Sequence, residues 1–332
     1  MSQPFDGFFL DPGWILVVHA DRKSQRTLQR VLSATHLMVQ ATADLGQAAD
    51  WTSRRKPDLL VIEHRLLLDR AGAALAEQTR QRGGGPCLTI LDDPHPHERL
   101  PALLGVRSLA HLVASHGTLL AEELVATAQK ILRRDLFGLE KYLTWGAEVR
   151  SPRIENAMQR GDVVDALGAH IGTLGLGRRV AGLARLVADE LLANALYHAP
   201  VDDTRWRTRM REERFSDRAL LGREQVELRC GCDGRTLGIA VSDRFGSLER
   251  ATVLRCLARS MQRPYSELQP EIRVGGAGMG LGIVHRAASQ LIFNLAPGRR
   301  TEAIALIDVR YQPAELGDQV ASLHIFEEGG SP

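Results

Sequence analysis

Apolar residues in the first part of the chain come in short runs that alternate with amphipathic stretches. Trp14 to Val18 (WILVV) and Leu59 to Ile62 (LLVI) are continuous apolar runs of strand length. Leu37 to Thr42, Cys87 to Leu91 and Leu109 to Val113 read as three more strands. Between them the spacing is helical. Arg22 to Leu32 puts Leu28, Val31 and Leu32 on one face, and Leu45 to Trp51, Ala71 to Gln81, His97 to Leu104 and Leu119 to Leu132 follow the same logic. Lys56-Pro57-Asp58 marks a turn before the third strand, and Gly83-Gly84-Gly85 stops the Ala71 helix. Repeated strand–helix units with wholly apolar strands predict a doubly wound parallel sheet of five strands, covered on both faces.

The pattern changes after Ile154. Val163 to Arg179 reads as a helix and a glycine turn. Val180 to Leu196 reads as a helix with Leu183, Val187, Leu191 and Ala195 along one stripe. Val226 to Cys230 and Leu237 to Ser242 are strands about the turn CDGRT. Leu281 to Gln290 is helical, and Leu291 to Leu295 and Glu302 to Arg310 close the pattern as strands about APGRR. Helices and strands are segregated here, which predicts an α+β domain. The expected organisation is a first domain over 1–133, a docked connector over 134–160, a second domain over 161–312, and a loose tail over 313–332.

Composition narrows the function classes. With 44% hydrophobic and 25% charged residues, the chain reads as soluble and globular. A formal net charge of +2 gives no electrostatic footprint for nucleic acid or membrane. The insert Asp202 to Glu224 is rich in arginine and carries Trp206 and Phe215, but its acids nearly balance its bases, so no nucleic-acid contact is expected. No apolar run is long enough to span a bilayer, and the start has no basic stretch ahead of its short apolar patch. Four cysteines without a staple pattern fit a reducing cytoplasm, and Cys230-Gly-Cys232 lacks the further ligands that a metal site needs.

Three motifs carry chemistry. In DELLANALYHAP (Asp189 to Pro200), Glu190 and Asn194 are one helical turn apart, so an acid and an amide oxygen sit side by side. Magnesium bound with a triphosphate takes oxygen ligands of this kind, and a neighbouring carboxylate can orient or deprotonate an attacking hydroxyl. In VSDRFGSL, Asp243 ends a strand, where a carboxylate can accept from an exocyclic amine such as that of adenine; Gly246 permits a close backbone approach. In VGGAGMGLGI, Gly275, Gly276, Gly278, Gly280 and Gly282 precede or enter a helix beginning near Leu281, and their N–H groups can converge on phosphate. Neither the dinucleotide fingerprint nor the P-loop pattern is present.

In this order the three motifs resemble the ATP-binding domain shared by histidine kinases, anti-sigma-factor serine kinases, gyrase-type ATPases, MutL and Hsp90. The resemblance covers roughly Val163 to Val309. It implies an α+β two-layer sandwich with ATP and Mg2+ as cofactors. Asn194 would hold magnesium, Glu190 would act as base, Asp243 with Gly246 would read adenine, and Gly276, Gly278, Gly280, Leu281 and Gly282 would border an ATP lid over Ala251 to Arg273. Phe245 and Ser247 stand where the second motif usually has glycines, and Tyr197 stands where a basic residue is common.

The first domain resembles the receiver domain of two-component response regulators, over roughly residues 13–133. The resemblance lies in its layout and in PDLLVIEHRL (Pro57 to Leu66). Its chemistry departs from the family. His19 and Ala20, with Asp21 one place beyond, stand where paired acids are expected; Glu63 stands at the acceptor position; Leu91 and Ala114 fall near the hydroxyl and lysine positions. A non-phosphorylatable regulatory module is expected. Together the two resemblances imply a cytoplasmic signalling protein, leaning to an ATP-dependent protein kinase. Its partner would be a response regulator, or an anti-anti-sigma-like or sigma-factor-like protein, and a homodimer stays open. The alternatives are a non-catalytic ATP-gated partner switch and a scaffold that has lost both chemistries.

Overall fold

The computed structural model describes residues 13–115, 121–199, 219–261, 279–310 and 320–329, which group into two compact units. Within these residues the first unit takes 13–93 and 111–135, and the second takes 94–110 and 136–329. Segment 94–110, expected in the first domain, therefore groups with the second. Among the described residues, no helix is long and apolar enough to cross a membrane.

The first unit follows the expected alternation. Its strands are β1 (Trp14–Val18), β2 (Met38–Thr42), β3 (Leu59–Glu63), β4 (Cys87–Asp92) and, from His111 on, β5 (Leu109–Ser115). They lie in the order β2-β1-β3-β4-β5, with β1 parallel to β2 and β3, and β3 parallel to β4. This is the flavodoxin-like doubly wound order. Aspartates start three of the helices. Asp21 caps α1 (Arg22–Leu32), Asp44 caps α2 (Leu45–Arg54), and Asp69 caps the 70–81 helix. Each accepts from backbone N–H groups of the first turn, which would otherwise lack partners. A short helix, α3 (His64–Leu68), leaves β3 directly, before α4 (Arg70–Gln81). Ile15, Val17, Val61 and Leu88 from the strands meet Leu28 and Leu32 of α1 and Leu124 of the 121–133 helix in one core.

The helices continue with α5 (Pro96–Leu104), α6 (Ala121–Arg133), α7 (Arg160–Thr173), α8 (Gly177–Ala193), α9 (Arg250–Met261) and α10 (Met279–Ala287). The second unit has strands β6 (Val149–Arg150), β7 (Glu227–Cys232), β8 (Thr236–Asp243), β9 (Gln290–Ala296), β10 (Arg300–Asp308) and β11 (Ser322–Glu327). They run β11-β9-β10-β8-β7-β6, antiparallel except for the β11–β9 pair. Here α8 and α10 pack on the sheet and on each other, α7 packs on α8, and α9 packs on α10.

Two sequence expectations are corrected here. The tail beyond 312 is not loose throughout. Ser322–Glu327 forms β11, whose Leu323, Ile325 and Phe326 are buried. The helix expected to reach Gln290 ends at Ala287, and Gln290 already pairs as the first residue of β9.

The connector docks through a buried acid. Glu302 of β10 is fully buried and accepts from the Gly138 N–H at 3.0 Å and the Asn294 amide at 2.7 Å. Arg300 reaches its other oxygen at 3.4 Å and lies over the Phe137 ring at 4.7 Å. A buried carboxylate is tolerable only when neutralised and hydrogen-bonded in this way. Gly138 takes φ 114°, which favours glycine, and the chain then places Leu139 against Gly238 of β8.

His285 of α10 is 3% exposed, and burial pushes its imidazole down to about 4. The unfolded chain therefore binds a proton that the folded chain refuses. Stability from this group is complete above its ordinary value of 6.5 and is lost as pH falls toward about 4. The wild-type Tm should fall from about pH 7 to about pH 5, and His285→Gln should flatten that fall. Equal pH slopes in thermal unfolding of the two proteins would contradict this.

Candidate functional site

The apolar stripe of α8 fixes the site. Ala184, Val187, Ala188, Leu191 and Leu192 are buried, which leaves Glu190 and Asn194 half-buried at the edge of that face. At Asn194 the helix widens into a π turn over Asn194–His198, where the Ala199 N–H reaches back to the Asn194 carbonyl at 2.9 Å. Single π turns of this kind recur at functional sites. The Asn194 Nδ2 is buried and has no hydrogen-bond partner among the described residues. Burial raises the Glu190 carboxyl above the usual range; Asp189 adds to the rise and Arg160 opposes it. A carboxylate so shifted is a better proton acceptor than a solvated one.

The glycine segment enters this same place. A Cβ on Gly280 would lie 2.0 Å from Glu190 Oε2, so the first turn of α10 rests directly on the acid. The next glycine serves packing instead. A Cβ on Gly282 would lie 2.2 Å from the Ser260 Cβ on α9. Leu281, between them, is buried. Gly276 and Gly278 lie outside the described residues, as does most of the expected lid; its first part, Ala251 to Met261, is helical in α9.

Asp243 ends β8, buried at 5% exposure. Its Oδ1 accepts from the Phe245 N–H at 2.8 Å and the Gly246 N–H at 3.1 Å. Burial raises its carboxyl, and these two donors oppose the rise. Gly246 has φ 59°, and a Cβ there would lie 2.3 Å from the Ala296 carbonyl oxygen, so only glycine fits the turn. Ser247 donates its hydroxyl to the Ala199 carbonyl, tying this loop to the end of the π turn.

Three residues that motif reading passes over belong to the same neighbourhood. Thr301 of β10 is paired with Asp243 in the sheet register and is buried. Arg223 donates to the carbonyls of Arg244, Phe245 and Gly298 and lies 5.7 Å from the Phe245 ring centroid. Arg160 binds Asp189 at 2.6 Å. Only a strand-pairing argument could have found Thr301 from sequence, and no local signal marks the two arginines. Cys230, whose thiol burial pushes up to about 12, remains a protonated core residue.

In the first unit the ends of β1 and β3 meet, but their acids are engaged locally. Asp21 is exposed and caps α1, accepting from the Ser24 N–H at 2.7 Å, which is the main cause of its lowered carboxyl. Glu63 is buried; it accepts from the Ala20 N–H at 2.9 Å and lies 3.5 Å from His19 Nδ1. Leu91 and Ala114 are buried apolar residues. Asp93, just beyond β4, pairs with the buried His64 at 3.3 Å and with Arg65 at 3.7 Å. Among the described residues no group of three or more His, Cys, Asp or Glu side chains is placed to hold a metal ion.

No family model matches the chain, and no curated protein matches it. Solved receiver domains do match, over 37% of this chain. One is the signal receiver domain of an HD domain-containing protein from Pseudomonas fluorescens Pf-5, with 18% identity, 88% of that chain covered and a TM-score of 0.32. Another is the receiver domain of the TMAO respiratory system response regulator TorR, with 22% identity, 98% covered and a TM-score of 0.30. A response regulator receiver protein from Pseudoalteromonas atlantica gives 19% identity, 98% covered and a TM-score of 0.27.

One outcome tests the first unit. Acetyl phosphate should leave residues 13–133 unmodified, because Glu63 stands at the acceptor position and already accepts from the Ala20 N–H beside His19; a stoichiometric phosphate mapped there by mass spectrometry would overturn this.

Proposed function

We propose that this chain is a signalling protein whose second unit binds ATP with magnesium and transfers phosphate to a separate protein. The observation that carries this reading is the meeting of Glu190 with Gly280, which joins two motifs distant in sequence at one helix N-terminus. Asn194 supplies an amide oxygen to magnesium from the turn below. The buried Asp243 takes the adenine amine, a hydrogen bond that a charged acceptor strengthens in a desolvated place. The start of α10 turns its N–H groups toward phosphate. Glu190, with its raised carboxyl, then accepts the proton of the attacking hydroxyl. The helices over a mainly antiparallel sheet fit the two-layer sandwich of histidine-kinase-like ATPases, with residues 161–312 as its core. The first unit, a receiver fold without its phosphorylation chemistry, acts as a regulatory contact module.

The second reading is an ATP-gated partner switch without turnover. It is favoured by Tyr197, which brings no charge to the phosphate side of the α8 turn. Transfer of a labelled γ-phosphate to a protein partner separates the two readings.

Asn194→Ala should weaken ATP binding about tenfold with magnesium present and leave it unchanged when magnesium is chelated, a difference of roughly 1.4 kcal/mol. Calorimetric titration under both conditions reads it directly. Equal affinities of wild type and variant in magnesium would remove the metal role.

A further inference from the structure

The nucleotide site proposed above has a charge problem in its own sequence. Asp189 and Glu190 are adjacent carboxylates, and a triphosphate brought beside them meets repulsion from both. Position 197, inside the π turn that follows, is a tyrosine and offers no cation. The structure holds a cation there that comes from another helix. Arg160 opens α7, far from the motif in sequence. Its Nη2 binds Asp189 Oδ2 at 2.6 Å, and its guanidinium carbon lies 5.7 Å from the Tyr197 ring centroid. The arginine thus spans the side of α8 from Asp189 to the π turn.

The guanidinium is held but not used up. Among the described residues its buried Nε makes no hydrogen bond, while Nη2 binds Asp189 and the Tyr197 side chain is a second hydrogen-bond partner. The Arg160 side chain is 23% exposed and that of Asp189 is 41% exposed, so the pair lies at the rim rather than inside the core. A half-buried pair at the rim adds little to stability. Its electrostatic effect on Glu190 is direct, however, because it cancels the neighbouring acid. Its contact with Tyr197, over the ring and through a side-chain hydrogen bond, keeps the guanidinium oriented, which an ammonium on a flexible stem would not reproduce as well.

We propose that Arg160 is a positioning residue for the nucleotide, neutralising Asp189 and presenting positive charge to the phosphates of ATP across the ring of Tyr197. This rests on the ATP reading above and deepens it. It assigns the phosphate-side charge of the site to α7 rather than to the motif on α8. The consequence is selective. Arg160 matters for ligands in proportion to their phosphate charge and is indifferent to the adenine end.

The test uses the full chain and three probes, which are ATP, ADP and adenosine, each with magnesium. Wild-type binding of ATP is measured first. If the wild type binds none of the three, the ATP reading fails and this inference falls with it. With wild-type binding established, Arg160→Ala should weaken ATP about tenfold and ADP less, and should leave adenosine within about twofold. Arg160→Lys keeps the charge and should lose less than Arg160→Ala. Adding Asp189→Asn to Arg160→Ala should recover most of the loss, because it restores the same charge balance by removing an acid. The double variant also removes the unpaired carboxylate and so keeps the test open if Arg160→Ala folds poorly. Equal weakening of ATP and adenosine would mean that Arg160 only supports the fold. Unchanged ATP affinity, or no recovery in the double variant, would overturn the proposal while leaving the ATP reading standing.

Discussion

The contact between the Glu190 carboxylate and the glycine at position 280 is the interaction on which the candidate site depends. Glu190 Oε2 occupies the space where a Cβ on Gly280 would project, at 2.0 Å. A larger residue there would have to displace that carboxylate, the free end of a flexible side chain. Two residues on, Gly282 lets α10 pack closely on α9 at Ser260, and Val284 is fully buried. Two helices from distant parts of the chain thus meet at an acid and a glycine. The carboxylate of one lies at the first turn of the other, where N–H groups point outward and negative charge is favoured.

A second buried acid does different work. Glu302 binds the connector through Gly138 and the sheet through Asn294, with Arg300 supplying the opposing charge. Glu190 remains half-buried and has no such set of donors among the described residues. That contrast separates a structural carboxylate from one available for chemistry. The same contrast holds in the first unit, where Asp21 and Glu63 both have backbone donors as their partners.

Much of this was legible from residue order. The apolar runs of β1 and β3 mark these strands because central parallel strands covered on both faces carry no polar side, whereas β2, at the sheet edge, keeps Gln40 and an exposed Met38. The stripe Leu183, Val187, Leu191 and Ala195 runs along α8 into the π turn, half-buried at Leu183 and buried beyond it, and so places Glu190 and Asn194 at its edge. What escaped has physical causes. β11 has His324 in its middle, and its burial against β9 comes from pairing that no local pattern records. The π turn at Asn194 depends on one carbonyl choosing a partner five residues on. Thr301 and Arg160 reach the site through strand register and helix packing, both of which are long-range. His64–Leu68 was missed because a helix of one turn has no period to detect.

Hydrogen–deuterium exchange of the full chain, with and without ATP and magnesium, tests the central claim most directly: that three separated segments form one nucleotide site. The predicted result is slowed exchange in peptides covering 189–199, 243–247 and 279–287 together, with the strands of the first unit unchanged. Unchanged exchange in those three segments at saturating ATP, or protection confined to the first unit, would contradict it.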